Sequence, residues 1–259
     1  SYPRKFERII RKAVFKMLDV TAAKKATYAT VVFKDLYQHL TKDWKLDSGG
    51  VVTIPPAVNT NVFQPQKESD SSTKPKEGAL FVGHLVSRKG ADLLPAISQL
   101  APELHITVAG DGPLYQAIVD DAIKLGVSNS FTFLGAISGQ SVSHYMQSAK
   151  VLLVPSWSEG LPITVLEALS SGTPVVATNV GGMKDIVTNG KNGFLVEAGD
   201  VQAMANNASK IALSDTIPYE TMSSTARNSV LTSFTWEVIT CQFEQIYESA
   251  KGTYLSKIP

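Results

Sequence analysis

The segment Ser156-Trp157-Ser158-Glu159-Gly160-Leu161-Pro162-Ile163-Thr164-Val165-Leu166-Glu167-Ala168 sets two carboxylates eight positions apart. Pro162 suits the opening of a helix, which places Glu159 just before the N-terminus, where the helix dipole favours an anion. Glu167 follows about two turns later, so the two carboxylates are expected nearly aligned on one face. Val165, Leu166, Ala168 and Leu169 make the Glu167 stretch otherwise apolar. A carboxylate there is costly unless hydroxyl or amide donors meet it. Vicinal sugar hydroxyls are such donors, because one carboxylate accepts from two at once. The alternative for the same residues is a capping acid at Glu159 and a buried structural pair at Glu167.

The run Gly83-His84-Leu85-Val86-Ser87-Arg88-Lys89-Gly90 brings two cations together between a strand and a helix. Adjacent cations beside free helix N–H groups suit a diphosphate; the other possibility is an exposed basic turn. Gly110-Asp111-Gly112-Pro113 contains G-x-G, but Tyr115 stands where a dinucleotide fingerprint has its third glycine. Pro113 fits the first position of the next helix, and an ordinary tight turn explains the glycines equally well. His39, His105 and His144 are scattered, none at metal-ligand spacing with another histidine or cysteine, so no metal site is expected. Serine-hydrolase, zincin, P-loop and D-x-D signatures do not occur.

These residues need a scaffold, and the pattern supplies one. Short apolar runs rich in β-branched residues predict strands at 79–83, 104–109, 130–134, 151–155, 174–178 and 193–196. Helical stretches are expected between them at 91–100, 114–125, 141–149, 164–170 and 183–187, with further helices at 200–213, 217–231 and 236–250. Such alternation predicts an α/β fold with a doubly wound parallel sheet. Ligands then bind at the carboxyl ends of the strands, in the loops 83–90, 110–113, 135–140, 155–164 and 178–183. Upstream, a basic helix over 1–24, a β-rich run over 27–33, a helix over 34–44 and a strand over 51–54 are expected. Residues 64–78 are polar and aperiodic, as a linker would be.

The composition narrows the class. The chain has 259 residues, 44% hydrophobic and 18% charged, which excludes intrinsic disorder. A formal charge of +1 leaves no global field for nucleic acid. One cysteine, Cys241, cannot form an internal disulfide and suits a reducing, cytoplasmic setting. No apolar run approaches the roughly 20 residues of a membrane span. The cations Arg4, Lys5, Arg8, Arg11, Lys12 and Lys16 suit peripheral contact with anionic lipid, or a solvated helix face.

Taken together, GHLVSRKG, GDGP, SEGLPITVLEALSSGTPVVATNVGG and NGKNGFLV resemble the donor half of the family-4 glycosyltransferases, which have the GT-B fold. The resemblance runs from about Val51 to Ser249 and includes Ser233-Phe234-Thr235-Trp236-Glu237. It implies a retaining transferase of carbohydrate biosynthesis that moves a sugar from a nucleotide diphosphate to an acceptor. It implies that Arg88 and Lys89 hold the diphosphate, that Glu167 binds the ribose hydroxyls, and that Glu159 faces the hydroxyls of the donor sugar. Backbone N–H groups of Gly160, Leu161, Pro162's successors Ile163 and Thr164 would meet the distal phosphate. Gly83, His84, Gly110 and the turn at Gly135 and Ile137 would lie by the base and phosphates.

Two departures stand out. His84 occupies the place after the first glycine where many family members carry arginine. A GT-B enzyme also has two Rossmann-like domains, and this chain is too short for both. The implied division is 1–50 as a remnant of the acceptor-side domain, 51–78 as interdomain strand and linker, 79–235 as the nucleotide-sugar domain, and 236–259 as a helix crossing back. The chain is therefore expected to be a fragment, or one half of a two-chain enzyme, with a missing N-terminal domain or separate subunit completing the cleft. The donor is UDP-, GDP- or ADP-linked; the acceptor is a glycan, a lipid-linked sugar or a small molecule. A non-catalytic nucleotide-sugar-binding module and a sugar-nucleotide epimerase are the competing functions.

Overall fold

A computed structural model describes residues 18–66, 76–213 and 218–255. The basic cluster of the first 17 residues lies outside them. Residues 56–239 form one compact unit, and the described residues 18–55 and 240–255 belong to another.

The larger unit is built on a six-stranded parallel sheet. Its strands are β3 (Glu77–Val82), β4 (Ile106–Ala109), β5 (Phe131–Gly135), β6 (Ala149–Val154), β7 (Val175–Thr178) and β8 (Gly193–Val196), in the spatial order β5-β4-β3-β6-β7-β8. All six expected strands are present within a few residues of their predicted bounds. Val151, Leu152, Leu153 and Val154 are consecutive and all buried, so helices cover the central strands on both faces. The helices of this unit are α2 (Leu94–Leu100), α3 (Tyr115–Lys124), α4 (Gly139–Ser148), α5 (Ile163–Ser170), α6 (Met183–Ile186), α7 (Val201–Leu213) and α8 (Tyr219–Leu231), and α9 (Trp236–Leu255) begins in it and continues past residue 239. Packing of α2 on α3 and α7 forms one helix group, and α4 and α8 on α5 the other. The main core joins Phe81, Leu85, Leu94, Ile97, Ile106, Ile118, Val151, Leu153, Met204 and Ile211.

The second unit holds a two-stranded parallel pair, β1 (Ala29–Val31) and β2 (Val51–Thr53), with Ala29 opposite Val51. A short helix, α1 (Lys34–Gln38), continues as a π-turn over His39–Asp43, where one continuous α-helix to residue 44 was expected. Val31, Leu40, Leu46 and Val51 form its small core.

The order of the six strands matters for function. From β3 the chain runs outward through β4 and β5, then returns to β6 on the other side of β3. The strand order therefore reverses between β3 and β6, and such switch points open a crevice at the carboxyl edge of a parallel sheet.

Candidate functional site

The loops leaving β3 and β6 flank that crevice. After β3, Leu85 is completely buried and its backbone N–H donates to Asp111 O, tying this loop to the one after β4. Ser87–Lys89 then form a 3-10 turn that ends at Gly90 in the left-handed conformation. The turn presents Arg88 outward, its side chain 59% exposed, and Lys89 inward, 24% exposed. The Trp157 N–H donates to Arg88 O, so the β6 loop is laid directly against this turn.

Glu159 is held at that junction. Its side chain is only 6% exposed, yet it keeps two donors on one oxygen. Lys89 Nζ lies 2.7 Å from Oε1, and Ser156 Oγ donates to the same Oε1 at 2.7 Å. The other oxygen, Oε2, has the Arg88 guanidinium at 4.0 Å, beyond hydrogen-bond distance. Arg88 instead donates to Ser158 O at 3.1 Å. From the far side, a Cβ at Gly181 would lie 2.2 Å from Glu159 O, so only glycine lets the β7 loop approach this closely. That loop is locked by the Gly182 N–H, which donates to Gly160 O at 2.7 Å.

As expected, Glu159 stands before the helix and Glu167 within it. Pro162 sits at the N-cap of α5 with extended backbone, and the helix begins at Ile163. Glu159 lies in the loop and is oriented by Ser156 and Lys89. Likewise α3 begins at Tyr115 and Pro113 falls in the turn before it. In the first turn of α5 the Val165 N–H closes on Pro162 O, while the N–H groups of Ile163 and Thr164 find no acceptor among the described residues. Leu161 is buried, Gly160 and Ile163 are exposed, and Thr164 is intermediate. Glu167 lies half-buried on α5, and its carboxylate has no hydrogen-bond partner among the described residues. Burial alone pushes its carboxyl above the usual carboxylate range.

On the other side of β3 lies an open hollow of about 390 Å³, lined by Gly83, His84, Gly110, Asp111, Ile137 and Val142 among others. A Cβ at Gly110 would stand 1.9 Å from Gly83 O, so glycine is required where these two strand ends meet. The Gly110 N–H donates to Gly135 O, which joins the third loop to the first two. His84 Nδ1 is 2.6 Å from Asp111 O. A carbonyl only accepts, so Nδ1 carries the proton. A larger hollow, about 620 Å³, lies at the opposite edge between Leu100–Glu103 and the Asn206, Lys210 and Leu213 face of α7. It gathers neither glycine loops nor strand carboxyl ends, so volume alone does not locate the site. Among the described residues, no group of three or more His, Cys, Asp or Glu is placed to hold a metal ion.

Four residues that matter to this arrangement carry no local sequence signal. Ser156 orients Glu159, and Thr178 Oγ1 donates to Ser156 O. Lys76 and Arg227 close the far end of α5, donating to the carbonyls of Ser171, Gly172 and Ser170. Partners 95 and 57 residues away cannot be read from spacing.

Comparison with known proteins gives the arrangement its context. The 2-deoxystreptamine N-acetyl-D-glucosaminyltransferase of Niallia circulans is 31% identical over 181 residues, 68% of this chain and 46% of that protein. The D-inositol 3-phosphate glycosyltransferase of Streptomyces scabiei is 27% identical over 82% of this chain and 51% of its own length. The chain thus spans about half the length of the curated relatives it matches. Among solved structures, sucrose-phosphate synthase from Thermosynechococcus elongatus superposes with a TM-score of 0.80 at 26% identity, covering 92% of this chain and 61% of that one. Anabaena HepE in complex with UDP superposes with a TM-score of 0.81 at 21% identity, covering 89% and 66%. Both are GT-B glycosyltransferase structures with the same parallel sheet. The profile described as Glycosyl transferases group 1 matches residues 63–229, well over half of the sequence, and the chain belongs to that family.

Proposed function

We propose that this chain is the nucleotide-sugar-binding half of a retaining glycosyltransferase, with residues 79–235 as the donor domain. The observation that carries the reading is the Lys89–Glu159 ion pair beside Arg88, at the carboxyl edge of the switch point and just before a helix whose Ile163 and Thr164 amides have no acceptor among the described residues. The relative solved with UDP, on the same fold, supports a nucleoside diphosphate as the ligand class.

In this reading the base and ribose enter from the hollow beside Gly83, Gly110 and Ile137. The half-buried Glu167 carboxylate accepts from the two ribose hydroxyls, which supply the donors that the protein does not. The diphosphate lies across Arg88, Lys89 and the Ile163 and Thr164 amides. When the bond between the anomeric carbon and the phosphate oxygen breaks, the electron pair stays on the diphosphate. Fixed cations and a helix terminus stabilise that developing charge without reorganising. Glu159 Oε2 meets hydroxyls of the sugar. The acceptor, held by a second domain or subunit corresponding to the remainder of the longer relatives, supplies the hydroxyl whose oxygen bonds the anomeric carbon while its proton passes to the departing diphosphate oxygen. Residues 51–78 are the connection and residues 236–259 the returning helix.

The test is donor cleavage followed by NMR. The chain, alone and joined with an acceptor-side half taken from a relative, is incubated with UDP-, GDP- and ADP-sugars. The reading predicts release of one nucleoside diphosphate and a product with the anomeric configuration of the donor. An inverted product removes the retaining assignment, and tight donor binding without any cleavage in either form favours a binding module.

A further inference from the structure

Glu159 poses a problem that the proposed reading leaves open. A carboxylate 6% exposed must have its lone pairs met. Here both nearby donors, Lys89 Nζ and Ser156 Oγ, converge on Oε1, and no described residue hydrogen-bonds Oε2. Lys89 is also the cation the diphosphate would claim. If Lys89 alone held the carboxylate, Glu159 would lose its only anchor each time a donor bound.

Ser156 removes that conflict. It is 1% exposed and lies in the loop two residues past the end of β6, three residues before Glu159. Its carbonyl accepts the Thr178 hydroxyl from the end of the neighbouring strand β7, which fixes the backbone from which the Ser156 side chain projects. A buried hydroxyl beside a carbonyl tied to β7 has little freedom, so its hydrogen bond to Oε1 persists when Lys89 turns to a ligand. With Oε1 fixed, the carboxylate plane is fixed, and Oε2 remains as the acceptor still open.

Resting on the donor-site reading above, we infer that Ser156 is a positioning residue that aims Glu159 Oε2 at the sugar, so that it governs affinity for the sugar moiety and not for the nucleotide. Thr178 acts behind it through the Ser156 backbone.

Calorimetric titration of the full chain tests this with paired ligands: UDP against UDP-glucose and UDP-N-acetylglucosamine, and the corresponding GDP and ADP pairs. Ser156→Ala is expected to weaken the sugar-bearing ligand about 10-fold, the scale of a hydrogen bond to a charged group. The bare diphosphate should keep its Kd within about twofold, and the melting transition should stay cooperative. Ser156→Thr retains the hydroxyl and should restore the sugar-dependent affinity. Equal weakening of both ligands, or no weakening of either, overturns the inference. So does a wild-type chain that binds a diphosphate but gains nothing from any sugar. A wild-type chain that binds none of the diphosphates overturns the donor-site reading itself, and this inference with it.

Discussion

At the carboxyl end of α5, Arg227 donates to Ser170 O, Ser170 Oγ, Phe63 O and Thr60 O, and Lys76 donates to Ser171 O, Gly172 O and Thr173 Oγ1. Each cation there is used up by protein acceptors, where the helix dipole also favours positive charge. At the amino end the first-turn amides of Ile163 and Thr164 are open and Arg88 is largely solvated, and at mid-helix the Glu167 carboxylate lacks a partner among the described residues. One helix thus has a closed end that holds it in place and an unfinished end that faces the crevice. Charges that are satisfied internally belong to the fold, whereas charges left incomplete are available to a ligand.

Substitutions at the two ends should therefore separate function from stability. The largest effect is expected at the open end. Lys89→Ala should lower donor cleavage by two to three decades, corresponding to about 2.7–4 kcal/mol of lost charge stabilisation. Its melting transition should stay cooperative but move to lower temperature, since Glu159 keeps Ser156 and loses its counter-ion. Wild-type turnover in that variant would break the assignment of Lys89 to the leaving group.

At the closed end the expectation reverses. Arg227→Ala strands several carbonyls and should cost about 2–4 kcal/mol in denaturant unfolding. Below the transition, the folded fraction should bind nucleotide as wild type does. A specific loss of nucleotide affinity without loss of stability would erase the contrast between the two ends.

Glu167 sharpens the comparison, because there function and stability should move in opposite directions. Burial holds its carboxyl above the usual range, so the folded chain binds that proton more tightly than the unfolded chain. The resulting stabilisation is complete below the unfolded value and is lost as pH rises through the folded one. Glu167→Gln should accordingly melt above wild type near pH 7, with the gap closing towards the ordinary value of 4.5. The same variant should bind nucleotide about 10-fold more weakly.

The closed end also carries a pH signature, at Lys76. Burial lowers its ammonium to about 8, with Glu220 opposing the shift and Lys150 adding to it. Between about 8 and 10.5 the unfolded chain binds more protons, so this group adds stability as pH rises through that window. Thermal melts of wild type and Lys76→Met should therefore diverge in favour of wild type as pH rises from 8 to 10. Parallel curves would show that the ammonium is not desolvated.

Much of this was legible beforehand, for reasons that differ by residue. The six strands were readable because a strand buried on both faces needs an unbroken apolar run, as in Val151–Val154. Arg88, Lys89 and Glu159 were readable as candidates because alternation placed their loops at the same sheet edge, and the structure does bring Lys89 to Glu159. The start of α5 was readable to within one residue because Pro162 can stand at either the N-cap or the first helical position. Ser156, Thr178, Lys76 and Arg227 were not singled out, since their partners lie on other strands and helices and leave no periodic trace. The family resemblance found the open end of α5; only the fold exposes the closed end that supports it.

The central claim is that the open end binds a nucleoside diphosphate. Calorimetric titration of the chain with UDP, GDP and ADP, in parallel with Glu167→Gln and Lys89→Ala, tests it most directly. The account predicts one-to-one binding of at least one of the three, weakened in both variants. No binding by wild type, or binding that both variants leave unchanged, would contradict it.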